Sequence, residues 1–304
     1  MFQKASIYPL LAILFWAGNV VVSKMASHAI SPIAITFYRL VLALAVMSIF
    51  IFIPVWKNRQ VIRLYWKHLA LGGFLSVSLF QFLSYQAAAT TTATNMAIVT
   101  TLIPLLTMIL SSVILKDRLR YGMLFGGAIS FYGIVYLLGQ GQVTQVFAAG
   151  IHLGDGLMLI AACGFALYGV LLKKWKMPIP AWQSNFIQSC FAIIYVLPFF
   201  IFLPAEDMQL NQQTIPLIVY AGIFSSVLLS YLWIEGVRHL GPNKNSIFMN
   251  LLPLFTALIA VAMLGEHLQQ FHIIGGGLTL IGIVMAQLIQ KPIFADRSVK
   301  QGVE

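Results

Sequence analysis

Charged residues are scarce in this chain of 304 residues: they make up 9% of it, and only 8 are acidic. Soluble globular domains carry about 25% charged residues, so the composition argues against a soluble enzyme. Hydrophobic residues make up 60% of the chain, and the mean hydropathy is +0.90. An intrinsically disordered chain is excluded, because disorder requires low hydrophobicity and high net charge.

Cysteine and catalytic motifs are equally sparse. Cys163 and Cys190 both fall inside apolar runs, so there is no disulfide framework. The six histidines show neither an HExxH motif nor metal-ligand spacing, and no Walker motif is present. We therefore expect no metal, no cofactor and no ATP hydrolysis. The first apolar run lacks a small-residue cleavage site and is expected to be a retained span, not a signal peptide.

Apolar runs of roughly 20 residues follow one another along most of the chain, and each can cross about 30 Å of hydrocarbon as a helix. This pattern predicts an all-α integral membrane protein with ten transmembrane helices. The predicted spans are 7–26, 33–53, 69–88, 95–115, 121–138, 153–172, 182–203, 214–234, 246–264 and 271–290.

The net charge of +10 is distributed over short loops between these runs, so we expect no nucleic-acid binding. All of the 18 Lys and Arg residues except Lys24 and Arg39 fall in loops or termini that ten spans place on one side. Cytoplasmic loops are enriched in these residues. Both termini are therefore predicted to be cytoplasmic, and the expected location is the inner membrane of a bacterium.

The chain matches itself at an offset of 149 residues, pairing Pro104 with Pro253 and Gly133 with Gly282. Each copy contains five predicted spans, an odd number, so the second copy must be inverted relative to the first. We predict a first repeat at 1–140, a linker at 141–152, a second repeat at 153–290 and a basic cytoplasmic tail at 291–304. Inverted repeats are a recurring design of secondary transporters, with the binding site between the two copies.

Polar residues inside the spans are candidates for substrate binding, because ionisable groups are costly at membrane depth. Arg39 could bind a carboxylate or phosphate through its fork of donors, or could satisfy helix-end carbonyls. Lys24 could bind solute or extend to the membrane surface. Glu235 could couple transport to protons, or could pair with Arg238 or Lys244.

The other candidates are polar or aromatic side chains that share a helix face or precede an intrahelical proline. Each could instead pack or join neighbouring helices. The complete predicted set for substrate binding is Trp16, Asn19, Ser23, Lys24, Arg39, Gln81, Tyr85, Gln86, Asn95, Tyr168, Tyr231, Glu235, Asn245 and Asn250. Pro104 and Pro253 are predicted to bend their helices, since proline leaves a carbonyl without its usual donor.

Two segments carry a family resemblance: "FWAGNVVVSKMASHAISPIAITFYRL" at 15–40 and "LLPLFTALIAVAMLGEHL" at 251–268. They resemble EamA-type members of the drug/metabolite transporter superfamily. The first copy departs from the pattern, reading "LKDRL" at 115–119 with Asp in place of Glu. The matching positions are Trp16, Lys24, Ser31, Pro32, Arg39, Pro104, Pro253 and Glu266.

The resemblance implies two five-helix bundles around a central cavity built from the first four helices of each copy. It also implies ATP-independent export of small metabolites such as amino acids or drug-like compounds. We therefore expect a secondary transporter working by alternating access, with the lipid bilayer and a small solute as partners and possible coupling to protons or another ion. An anion or sugar-phosphate exchanger and an integral membrane enzyme acting on lipids are the alternatives.

Overall fold

A computed structural model describes residues 4–117, 121–144, 152–240, 248–289 and 291, and these residues form helices and connecting turns without strands. We number the ten long helices in chain order. They are α1 Ile7–Ala26, α2 Pro32–Lys57, α3 Trp66–Ala88, α4 Ala93–Ile114, α5 Tyr121–Leu138, α6 Leu153–Trp175, α7 Ala181–Ile201, α8 214–240, α9 Phe248–Leu264 and α10 Gln270–Leu288.

Eight of the described helices, α1 to α8, are long and apolar enough to cross a membrane. The other two apolar helices, Phe248–Leu264 and Gln270–Ala286, are shorter. The prediction of an all-helical, multi-pass membrane protein is confirmed. Predicted boundaries differ most at α8, which continues as a helix to Leu240 where the sequence predicted an end at residue 234. Helix α2 continues to Lys57, four residues beyond its predicted end.

Contacts between helix ends define one face of the bundle, which we call the basic face. Here the amide of Asn58, after α2, donates to Gln183 Oε1 in α7 at 2.9 Å. At the same face Lys173 Nζ in α6 lies 2.7 Å from Asp117 Oδ2, beyond α4. These contacts bring together the end of α2 with the start of α7, and the end of α4 with the end of α6.

The other ends meet at what we call the opposite face. Lys24 Nζ, near the end of α1, donates to the carbonyl oxygen of Thr91 between α3 and α4 at 2.8 Å. Glu266 Oε1, beyond α9, accepts a hydrogen bond from the backbone N–H of Ala93 at 2.7 Å. These contacts bring the ends of α1, α3 and α9 together with the start of α4.

Helices α5 and α10 cross at glycines and exchange equivalent contacts. A Cβ on Gly126 would lie 2.3 Å from the carbonyl oxygen of Gly282, and a Cβ on Gly133 would lie 2.7 Å from that of Gly275. Small residues let membrane helices approach this closely. Gly126 and Gly275 are 149 residues apart and so occupy equivalent positions in the two copies, as do Gly133 and Gly282. If each glycine is replaced by its equivalent, the contact of Gly126 with Gly282 becomes the contact of Gly275 with Gly133. The two helices therefore pack antiparallel to each other.

Two helix irregularities also occur at equivalent places. Helices α3 and α8 contain π-helical segments at Gly73–Leu79 and Tyr220–Leu228, a feature often found near functional sites. Helix α4 breaks after Thr100 and α9 starts with a 3-10 turn. Pro104 and Pro253 lie in the first turn of the α-helical segment that follows each irregularity, where proline is tolerated.

Candidate functional site

A cavity of about 400 Å³ lies between the two copies. We call it the central cavity. Its walls come from α1, α2, α3, α4, α6, α7, α8 and α9, whereas α5 and α10 contribute none of the lining residues among those described. Its polar or amphipathic lining comprises Trp16, Asn19, Arg39, Ser76, Gln81, Tyr168, Asn185, Ser189, Ser225, Ser226, Ser230 and Trp233.

The central cavity reaches the basic face and stops short of the opposite face. Leu172 and Ala181, at the basic-face ends of α6 and α7, line it, and Leu172 is 38% exposed. Towards the opposite face the last lining residues of the first three helices are Asn19, Arg39 and Gln81. Each lies about two turns from the end of its helix. The lining residues therefore extend closer to the helix ends at the basic face than at the opposite face.

Arg39 is buried in the cavity wall, with 2% of the residue exposed. Its Nη1 donates to Gln81 Oε1 at 2.7 Å and to the Tyr85 hydroxyl at 2.9 Å. Its Nη2 donates to Ser225 Oγ at 3.2 Å and Ser226 Oγ at 2.9 Å. These hydroxyl and amide acceptors are neutral, so the guanidinium is hydrogen-bonded but its charge is not neutralised by them.

Gln188 occupies in the second copy the position that Arg39 occupies in the first, 149 residues earlier. It is buried, and Ser76 Oγ donates to its Oε1 at 3.4 Å. Ser76 is itself the equivalent of Ser225. Each copy thus inserts the polar side chain of its second helix against the π-helical segment of the other copy, but one insertion is charged and the other neutral.

Aromatic side chains form the rest of the cavity wall. The rings of Trp16 and Phe165 meet edge to face with centroids 6.1 Å apart. These two residues are equivalent in the repeat, so they meet where the two copies face each other. Phe80 and Trp233 line the same space. The cavity therefore combines a buried cation, several hydroxyls and an aromatic surface.

The structure brings five of the predicted residues together on the cavity wall: Trp16, Asn19, Arg39, Gln81 and Tyr168. Tyr85 lies behind the wall and accepts a hydrogen bond from Arg39. Ser23 is buried and donates to the backbone oxygen of Asn19.

Among the described residues, none of the other predicted ones lines the cavity. Gln86 is exposed, the Tyr231 ring lies 6.0 Å from that of Trp182 at a tilted angle, and Glu235 Oε2 lies 3.5 Å from His239 Nε2. Asn250 lies in the 3-10 turn of α9. Asn245 lies outside the described residues, as do Lys244 and the side chain of Arg238, the partners considered for Glu235.

Lys24 and Asn95 lie at the opposite face in a polar cluster between the copies. Lys24 Nζ donates to the carbonyl oxygens of Ala88 and Thr91, at 2.7 and 2.8 Å. Asp155 of α6 is buried and accepts hydrogen bonds from Thr91 Oγ1 and Asn95 Nδ2. Residues from both copies are therefore hydrogen-bonded to each other at this face.

The equivalent residues at the basic face have a different arrangement. Lys173 and Asp117 correspond to Lys24 and Glu266 in the repeat, and they form an ion pair whose side chains are 61% and 45% exposed. Lys24 instead binds carbonyl oxygens, while Glu266 accepts hydrogen bonds at the start of α4. The ion pair of Lys173 and Asp117 is thus solvent-exposed at the basic face, whereas the equivalent Lys24 and Glu266 are hydrogen-bonded to backbone groups at the opposite face.

Four important residues are absent from the predicted set: Ser225, Ser226, Gln188 and Asp155. The repeat offset could have found Gln188, because Arg39 was already a candidate. Asp155 is an ionisable residue inside a predicted span, which is itself a signal of function. Ser225 and Ser226 carry no comparable signal, since serine is common in membrane helices.

Comparison with known proteins gives a family match twice along the chain. The profile of the EamA-like transporter family matches residues 3–139 and again residues 152–288. The uncharacterized transporter YyaM of Bacillus subtilis is 28% identical over 276 residues, covering 90% of each chain. An uncharacterized transporter of Archaeoglobus fulgidus is 26% identical over 288 residues, covering 94% of this chain and 98% of its own.

A solved crystal structure of another protein resembles the whole chain. It matches with a TM-score of 0.64 at 18% sequence identity, and the match covers 100% of both chains. At this identity the likeness concerns the fold alone.

Proposed function

Because the chain belongs to the EamA-like transporter family, it is a transporter and not an enzyme, and we propose that it carries a small organic solute through the central cavity by alternating access. The observation that carries this proposal is the cavity itself. It lies between the two copies and is lined by both. Its lining extends closer to the helix ends at the basic face than at the opposite face, where Lys24 and Glu266 are hydrogen-bonded across helix ends.

We further propose that all ten helices span the membrane as two inverted repeats, 1–140 and 153–290, joined by the linker 141–152. The reciprocal glycine contacts of α5 with α10 support this arrangement. So does the double match to one family profile. Two inverted copies with similar energies can exchange conformations, which would open the cavity to each face in turn.

The exchange assigns a role to the polar residues at the two faces. In the described conformation Lys24 and Glu266 help to close the opposite face, while Lys173 and Asp117 form an exposed ion pair. In the alternate conformation the roles would reverse, with Lys24 and Glu266 paired in solvent. Arg39 and the lining residues Trp16, Asn19, Gln81 and Tyr168 would contact the solute in both conformations.

We propose that the basic face, with both termini and the tail 291–304, lies in the cytoplasm of a bacterial cell, because cytoplasmic loops are enriched in Lys and Arg. The described conformation would then load solute from inside, as export of metabolites such as amino acids or drug-like compounds requires. Coupling to protons or another ion belongs to the same proposal.

Topology can be tested by labelling single cysteines in a chain whose Cys163 and Cys190 are replaced by Ala. Gln60→Cys and Lys176→Cys should react with a membrane-impermeant maleimide in inverted vesicles, and His28→Cys should react in spheroplasts. Reaction of residues 60 and 176 from opposite sides would overturn the inverted repeat.

Transport is tested separately, in proteoliposomes without ATP, with a panel of labelled amino acids, organic anions and cationic drugs. We expect saturable flux of at least one class. Liposomes with the protein blocked in the cavity by a maleimide on Ser189→Cys provide the matched control. Equal flux in blocked and unblocked liposomes for every compound would overturn the proposal.

A further inference from the structure

We infer that the central cavity selects an organic anion: a carboxylate or similar group binds at Arg39, where it meets Ser225 and Ser226, and an apolar body packs on the aromatic wall. This inference rests on the proposed function and names the class of its solute. The inferred selectivity is for solutes with a net negative charge, in preference to zwitterions, cations and uncharged solutes.

The first argument is charge balance. Arg39 is buried, and all of its hydrogen-bond acceptors in the structure are neutral hydroxyl or amide oxygens. No Asp or Glu is found among the described residues that line the cavity. Glu235, on α8, lies nine residues beyond Ser226, which is about 13 Å along a helix. A buried charge without a counterion is costly, so an anion in the cavity would stabilise this site.

The second argument is donor geometry. Nε and Nη2 form one edge of the guanidinium, and both donate to Ser226 Oγ, at 3.3 and 2.9 Å. A carboxylate is a stronger acceptor than a hydroxyl and can accept two parallel hydrogen bonds from that edge. The displaced Ser226 hydroxyl, which donates to the carbonyl oxygen of Ala221 in the structure, can rotate and donate to the same carboxylate. The Nε and Nη2 edge of Arg39, which donates only to serine hydroxyls, is therefore a preformed anion site.

The third argument concerns the remainder of the solute. Trp16, Phe80, Phe165 and Trp233 supply apolar surface in the same cavity. An α-ammonium group would need an acidic partner for neutralisation, and the described lining supplies none. The site therefore favours a carboxylate with an aromatic or branched apolar body over the corresponding amino acid.

Four probes of one shape separate these classes: 3-phenylpropionate, 3-phenylpropionamide, phenylalanine and 3-phenylpropylamine. Binding to the purified protein in detergent can be followed by intrinsic fluorescence, since Trp16 and Trp233 line the cavity. We expect 3-phenylpropionate to bind at least about tenfold more tightly than the other three, which corresponds to a difference of one decade in Kd. Equal or tighter binding of the amide, the amino acid or the amine would overturn the inference.

Two variants test the role of Arg39. Arg39→Gln should remove the preference for the anion, but it could also disturb folding. Ser226→Asp keeps Arg39 and offers it an internal carboxylate, so it should abolish anion binding in a protein that unfolds at the original temperature or above. Undiminished binding of 3-phenylpropionate to the folded Ser226→Asp variant would overturn the inference.

The inference and the proposed function can fail separately. Saturable flux of phenylalanine or a cationic drug, without binding of 3-phenylpropionate, would preserve the transporter and overturn the anion site. Absence of protein-dependent flux for every compound, despite tight binding of 3-phenylpropionate, would preserve the anion site and overturn transport.

Discussion

Arg39 and Gln188 occupy equivalent positions in the two copies, and each is hydrogen-bonded to an equivalent serine on the π-helical segment of the other copy. The backbone beneath them is equivalent as well. A Cβ on Gly73 would lie 2.4 Å from the carbonyl oxygen of Gln188, and a Cβ on Gly222 would lie 3.2 Å from that of Arg39. The two copies therefore share one backbone arrangement at these positions, but the first copy has a charged side chain where the second has a neutral one.

This pairing leads to a prediction for the two serines. Ser225→Ala removes an acceptor from a charged donor, a contact worth about 1.5–3 kcal/mol, whereas Ser76→Ala removes a neutral contact worth about 0.5–1.5 kcal/mol. We expect Ser225→Ala to lower the unfolding temperature in detergent more than Ser76→Ala does. A larger loss in Ser76→Ala would show that Arg39 does not depend on the hydroxyls of α8.

The helices were predictable from the sequence because long apolar runs are a local property. Long apolar runs gave α1 to α8, and the matched Pro and Gly residues gave the offset. The composition of the site was less predictable. Tyr85 and Tyr231 both lie in polar, aromatic stretches, yet one contacts Arg39 and the other is 43% exposed. Which face of a helix points inward depends on packing between copies, and hydropathy does not record it.

Close packing of α5 on α10 leads to a stability prediction. Gly282→Ala would place a Cβ 2.4 Å from the carbonyl oxygen of Gly126, so the helices would have to separate. We expect a loss of about 1–3 kcal/mol, the usual cost of overpacking. Gly277→Ala is the matched control on the same helix, because nothing lies within 4 Å of its Cβ. Thermal unfolding should show a clear decrease for Gly282→Ala and none for Gly277→Ala.

Asp155 provides a test of the polar cluster at the opposite face. Asp155→Asn keeps an acceptor oxygen for Thr91, whereas Asp155→Ala leaves the Thr91 hydroxyl and the Asn95 amide without this partner. An unsatisfied buried polar group costs about 1–3 kcal/mol. We expect Asp155→Ala to be the less stable of the two by thermal unfolding. Equal stability of both variants would indicate that water replaces the carboxylate.

The asymmetry between the two lysines predicts how the faces respond to mutation. Lys24→Ala removes the donor to Ala88 and Thr91 and should loosen the opposite face, whereas Lys173→Ala removes an exposed ion pair, a contact worth about 0–1 kcal/mol. A cysteine at Ser189, which lines the cavity, can report the difference in the background without Cys163 and Cys190. Its reaction with an impermeant maleimide from the opposite face should accelerate several-fold in Lys24→Ala and stay slow in Lys173→Ala. Because reaction from the basic face uses the existing opening, its rate should not increase in Lys24→Ala, and an equal increase from both sides would indicate unfolding instead of opening.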